Sequence, residues 1–194
     1  MVIAANLGFP RMGLQRELKK ALEAYWKGKS SEDELQSVAR ELRERHWKMQ
    51  QESGIEHIPS NDFSFYDHVL DTIAMVGAVP ARYGFDKDTV DSDLYFAMAR
   101  GKQNNETDVV AMEMTKWFDT NYHYIVPEFK QTTEFKLSSL KAVEQYKEAK
   151  ALGIETRPVL LGPVSFLLQG KAYDDVSPIA LLDQLLAVYE QLIA

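Results

Sequence analysis

Apolar residues along this chain alternate between short continuous runs and helical spacing. Val2 to Leu7 is a short apolar run closed by Gly8, Pro10 and Gly13, which predicts a buried strand leading into a structured loop. Leu14, Leu18, Ala21, Leu22 and Tyr25 then recur at helical spacing until Gly28 stops the pattern. Ser31 and Glu34 form a capping-box pair ahead of a second helix through Leu35, Val38, Leu42 and Met49. Arg40, Glu41, Arg43 and Glu44 give that helix a solvated, charged face. Gly54 ends it. Ile55 to Ile58 reads as a short strand, with Pro59-Ser60-Asn61-Asp62 as the loop that closes it.

Helical spacing returns from Tyr66 to Gly77 through Val69, Leu70, Ile73 and Val76, and again from Leu94 to Met98 after a polar connection. Residues 101–108 have the composition of a mobile surface loop. Asn121 to Phe129 is strand-like but interrupted by Pro127, which suits a strand end better than a central strand. Lys141 to Leu152 predicts a helix capped by Gly153. Arg157 to Gly162 is β-rich, and Pro163 to Leu168 extends it or begins the next loop. Pro178 suits the first turn of a last helix carrying Leu181, Leu182, Leu185, Leu186, Tyr189 and Leu192. Strand and helix thus alternate about four times, the pattern of an α/β fold with parallel strands and crossover helices. The last apolar stripe runs almost to the final residue with neither a Gly cap nor a basic final turn. A complete (βα)8 barrel needs about 250 residues. The expectation is therefore a partial (βα)8 TIM-type barrel, about the first four βα units, with a helical insertion after the first strand.

Composition narrows the class of function. A 45% hydrophobic, 26% charged chain can bury one sizeable core. No stretch approaches the roughly 18 apolar residues of a membrane span, and no basic segment precedes the first apolar run, so a cytoplasmic location is expected. A net charge of -7 sets the whole chain against nucleic acid, whose binding relies on Lys and Arg at phosphates. With no Cys there is neither a disulfide framework nor a thiolate metal ligand. Asn105-Glu106-Thr107 fits a glycosylation sequon, but without a secretory signal it reads as a polar loop.

Two segments carry candidate chemistry. Gly8-Phe9-Pro10-Arg11-Met12-Gly13 stands directly before the helix that includes Arg16-Glu17-Leu18-Lys19. Free amides and the positive end of a helix dipole favour an anion there, and Arg16 and Lys19 share a face. Glu113 to Tyr124 is dense in aromatic and polar side chains. It reads either as a core cluster with hydrogen-bonded tips or as a barrel loop presenting Lys116 and Asn121. His46, His57 and His68 are separated by Gly54 and Pro59 and make no metal-ligand pair. His123 reads as a hydrogen-bonding structural residue.

Through Gly8 to Lys19, Ile58 to Gly84, Met112 to Phe129 and Pro158 to Phe166 the sequence resembles cobalamin-independent methionine synthase, the 5-methyltetrahydropteroyltriglutamate-homocysteine S-methyltransferase family. The resemblance implies two (βα)8 barrels: an amino-terminal one contributing to the folate site, and a carboxy-terminal one holding catalytic zinc and homocysteine. Residues 1–194 would be the amino-terminal portion of the first barrel, with the catalytic barrel absent. It implies further that Arg16, Glu17, Leu18, Lys19, Lys116 and Asn121 serve 5-methyltetrahydropteroyltri-L-glutamate, that no cobalamin takes part, and that zinc belongs to the full-length enzyme. No catalytic or metal residue is expected in this chain. As an isolated fragment it is expected to be inactive and to self-associate through Leu181, Leu185, Leu186 and Leu192. Two other readings stand beside this one: a non-catalytic structural or binding module of the same fold, and a small complete enzyme acting through Asp67, His68 or His123. The latter lacks a nucleophile, base and orienter at supportive spacing.

Overall fold

The structure, a computed structural model, describes residues 2–103 and 108–194. Its helices are α1 (Glu17–Trp26), α2 (Glu32–Glu52), α3 (His68–Met75), α4 (Ser92–Arg100), α5 (Lys141–Ala151), α6 (Pro163–Leu168) and α7 (Leu182–Ile193). Its strands are β1 (Ile58–Ser60), β2 (Lys102–Gln103), β3 (Asp108–Val109), β4 (Met114–Lys116), β5 (His123–Ile125), β6 (Glu128–Phe129), β7 (Thr156–Pro158) and β8 (Lys171–Ala172). The fold is mixed α/β. Among the described residues the strands pair two by two and no closed barrel forms: β1 with β7 and β6 with β8 are parallel, β2 with β3 and β4 with β5 antiparallel. The chain divides into two compact units, Met1–Phe65 with Lys141–Val159, and Tyr66–Leu140 with Leu160–Ala194.

In the first unit α1 and α2 form an antiparallel hairpin between the opening segment and β1. Ser31 caps α2 in both directions: its hydroxyl accepts the Glu34 amide, and the Glu34 carboxylate accepts the Ser31 amide. Trp47 of α2 packs with Ile58, Ala149 and Ile154, and its indole Nε1 donates to Pro59 O at 3.0 Å. The opening run departs from expectation. Ala5 makes a single parallel bridge to His57, and Val2 and Leu7 are exposed, so Val2 to Leu7 is a bridged edge rather than a buried strand. Pro59 and Ser60, expected in a loop, lie inside fully buried β1, where the Ser60 and Thr156 hydroxyls hydrogen-bond at 3.0 Å.

Arg43 is a second correction. It is buried rather than solvated, lies over the Phe63 ring, and makes three hydrogen bonds to the Glu148 carboxylate at 2.8–3.2 Å. Removing one partner of a fully buried ion pair costs about 3–5 kcal/mol, because the other charge stays behind uncompensated. The Glu148 side chain keeps 22% of its exposure and so retains some water. Arg43→Met is therefore expected to cost roughly 2 kcal/mol in urea unfolding, and Arg43→Met with Glu148→Leu less than the single change.

In the second unit Phe129, Phe166, Ile125, Leu70, Ile73, Met98 and Leu185 are fully buried. Pro163 to Leu168, expected as an extended run or loop, is helix α6, with Gly162 at its N-cap and Pro163 in the first turn, where a missing amide costs nothing. Leu181 and Leu185, two of the four residues expected to drive self-association, are buried inside this unit. Of the expected 101–108 loop, β2 and β3 pair as its flanks. Residues 104–107, and with them the sequon, lie outside the described residues.

Candidate functional site

The α1 motif begins with a strained turn. Arg16 occupies the left-handed region at φ 59 and ψ 36, a conformation that costs a non-glycine residue on the order of 1–2 kcal/mol and so marks a site worth explaining. Its amide donates to Gly13 O at 3.2 Å and its carbonyl accepts the Lys20 amide, while the Leu18 amide donates to Met12 O at 3.3 Å. Glu17 lies over Gly13, accepts the Gln15 amide at 2.8 Å and pairs with Arg45 at 2.9 Å. Its own backbone amide, opposed by partial burial and aided by Arg45 and the Gln15 amide, holds its carboxyl below the usual range. Glu17 is thus the anion held at the start of α1. The Leu18 side chain is completely buried and anchors the motif to the core. Lys19 is exposed and makes a long pair with Glu23 at 3.8 Å, and Arg16 is exposed with no acidic partner among the described residues.

Lys116 and Asn121 lie in the second unit, on the β4–β5 hairpin. Register places Met114 opposite Ile125, Thr115 opposite Tyr124 and Lys116 opposite His123. The turn closes through the Trp117 amide to Tyr122 O at 2.7 Å and the Thr120 hydroxyl to Trp117 O at 2.6 Å, with Phe118 left-handed at φ 50. Lys116, Phe118 and Asn121 are exposed. Lys116 has no acidic partner among the described residues, and the Asn121 carbonyl accepts His123 Nδ1 at 3.0 Å, which fixes that proton on Nδ1 and gives His123 its structural role.

Beneath the hairpin lie the residues that hold it, among them Asp67 and His68, which the sequence reading named only as candidates for a small complete enzyme. Asp67 caps α3: its Oδ1 accepts the Val69 and Leu70 amides at 2.8 and 3.0 Å, and its Oδ2 accepts the Ile125 amide of β5 at 3.1 Å. His68 stacks on Tyr122 at 5.7 Å and meets Trp117 edge-on at 4.8 Å. An Asp immediately before an apolar helical pattern is an N-cap signal. That signal was legible for Asp67, but its contact with Ile125, 58 positions away, was not. A cavity of about 490 Å3 in the same unit is lined by Arg82, Phe85, Glu128, Lys130 and Tyr173 and contains none of the six expected site residues.

Residues 3–194 match the family described as Cobalamin-independent synthase, N-terminal domain. The chain belongs to the cobalamin-independent methionine synthase family. It matches the family's amino-terminal part. Among relatives named 5-methyltetrahydropteroyltriglutamate--homocysteine methyltransferase, that of Salinibacter ruber is 59% identical over 199 residues, covering 100% of this chain and 26% of the relative. That of Flavobacterium johnsoniae is 57% identical over 190 residues, covering 97% and 24%. That of Kali turgidum is 56% identical over 192 residues, covering 97% and 25%. The chain thus spans about a quarter of the length of these relatives. It contains no Cys, and among the described residues no group of three His, Asp or Glu side chains could hold a metal ion. No helix among the described residues is long and apolar enough to cross a membrane.

Proposed function

We propose that this chain is the folate-polyglutamate-binding part of the enzyme of methionine biosynthesis that transfers a methyl group from 5-methyltetrahydropteroyltri-L-glutamate to L-homocysteine. In this reading it forms the first portion of the amino-terminal (βα)8 barrel, and the zinc-dependent methyl transfer is carried by a carboxy-terminal barrel outside this sequence. The observation that carries the proposal is the pair of exposed cations, Arg16 and Lys116, each within two residues of a left-handed backbone position and each without an acidic partner among the described residues. On α2, by contrast, Arg43, Arg45 and Lys48 each pair with a carboxylate, of Glu148, Glu17 and Glu44. A cation held open at a conformational cost suits a carboxylate-rich ligand. Lys19 is a third cation, and Asn121 offers an amide to the same kind of group. Glu17 and Leu18 act in this scheme by fixing the turn that presents Arg16.

Each added glutamate lengthens the tail and adds a carboxylate, and one well-formed charge-assisted contact contributes about 1.5–3 kcal/mol, less when screened. Calorimetric titration should therefore show the triglutamyl ligand binding roughly tenfold or more tightly than the monoglutamyl ligand, with the gap closing as salt rises. Arg16→Met, Lys19→Met and Lys116→Met should each narrow it. Equal affinity for both tail lengths, or a preference unchanged in all three variants, would remove the tail site.

A further inference from the structure

A two-stranded hairpin is marginally stable alone, so the position of β4–β5 is set by what it docks on. Its dock is the first turn of α3. Asp67, buried to 1% exposure, divides its two oxygens between two tasks: Oδ1 caps the helix, and Oδ2 takes the amide of Ile125. The neighbouring His68 ring meets two of the hairpin aromatics, Trp117 and Tyr122. Tyr66, one residue before the cap, directs its hydroxyl at the Met114 sulfur at 4.0 Å, opposite Ile125 in register. Three consecutive residues, 66–68, thus touch both strands and the turn of the hairpin. Lys116 lies two residues beyond this anchor on β4, about 7 Å along the strand. Any rocking of the hairpin on its dock moves the Lys116 ammonium and the Asn121 amide together.

We infer that Asp67 is a positioning residue for tail recognition: its second carboxylate oxygen sets where Lys116 and Asn121 stand. The inference rests on the tail-binding reading proposed above. It also explains why the cap is a carboxylate. Asn or Ser caps a helix as well as Asp does, but an amide has one acceptor oxygen, and in Asn its NH2 would face the Ile125 amide. Ser has no second oxygen to reach it.

Asp67→Asn and Asp67→Ser therefore keep the cap and break the tether. Asp91→Ser serves as the control, because Asp91 caps α4 through the Leu94 amide in the same unit and, among the described residues, makes no hydrogen bond to the hairpin. Hydrogen exchange in residues 113–126 of both Asp67 variants is expected to quicken by about tenfold, with exchange in α2 unchanged. Their preference for triglutamyl over monoglutamyl 5-methyltetrahydrofolate should fall by a similar factor toward one, while Asp91→Ser leaves it in place. A general loss of structure would weaken both ligands together and leave the ratio standing, which would overturn the inference. So would hairpin exchange that does not change, or faster exchange with an intact tail preference. A wild-type protein with no tail preference overturns the tail reading itself, and is recognisable because no substitution is involved. Should both Asp67 variants fail to fold, the wild-type protein decides: triglutamyl ligand should slow exchange in 113–126 more than monoglutamyl ligand, and equal protection by the two overturns the inference.

Discussion

Gly170→Ala is expected to destabilise the second unit by at least ~3 kcal/mol, at or above the top of the usual range for overpacking a core. Gly170 lies between α6 and β8, and a methyl group placed on it would stand 2.1 Å from Phe129 Cε2 and 2.8 Å from Phe129 Cδ2. The ring has nowhere to go. Phe129 is fully buried, with Phe166 at 5.6 Å and Phe135 at 6.2 Å between ring centroids. The backbone that carries the ring is held as well: Phe129 pairs with Ala172 in β6–β8, and its carbonyl accepts the Tyr173 amide at 2.9 Å. Gly162→Ala is the matched comparison, because nothing lies within 4 Å of the added carbon and the backbone is extended. It should cost no more than about 1 kcal/mol, the difference between Gly and Ala at an N-cap. Urea midpoints of the two variants measure the contrast, and equal midpoints would show that the Phe129 pocket yields easily.

Local chemistry along the chain was the legible part of the fold. The Ser31–Glu34 box, the helix ends at Gly54, Gly77 and Gly153, which the structure places in the left-handed region, and the helix starting at Lys141 depend only on residues a few positions apart, and they formed as expected. Misreadings arose where a distant partner decides. Arg43 looks solvated by helical spacing because the residue that neutralises it, Glu148, is 105 positions away. Pro59 looks like a breaker, yet its carbonyl is wanted by Trp47 and its strand pairs in parallel with Arg157. Six residues from Pro163 are too few for helical and extended periods to separate, so the position of the proline in the first turn decides.

The candidate site divides along the same line. Arg16, Lys19, Lys116 and Asn121 could be named from short motifs, and all four side chains are exposed. The role of Glu17 could not be read, since it depends on a fold that brings Arg45 back across α1. Nor could the left-handed backbone of Arg16, which no sequence preference announces for that residue type.

The stability of the second unit should depend on pH through Asp67. Burial pushes this carboxyl up from 3.8 to about 7, against the opposing pull of the Leu70 and Ile125 amides; Asp71 raises it further and the Val69 amide lowers it. The groups facing it are Asp71 on its own helix, which accepts the Tyr95 hydroxyl at 2.7 Å, and the phenols of Tyr66, Tyr95 and Tyr124, all raised above their usual range and neutral near pH 7. Between pH 3.8 and about 7 the folded chain holds a proton that the unfolded chain has released. The stabilising contribution is therefore complete below pH 3.8 and is lost as pH rises through 7. A shift of this size corresponds to about 4 kcal/mol across the window. Asp91 and Glu17 run the opposite way, since both are held below their usual range and lose stability on acidification. Absolute stability therefore mixes both signs, and the difference between wild type and Asp67→Asn isolates the one group. The Asp67→Asn variant pays a pH-independent penalty for the unmatched Ile125 amide, so the two curves should be offset, with wild type gaining on the variant as pH falls from 8 to 4. Urea unfolding at half-unit intervals would trace that difference. A flat difference across the window would mean that the three amide donors hold Asp67 ionised despite its burial.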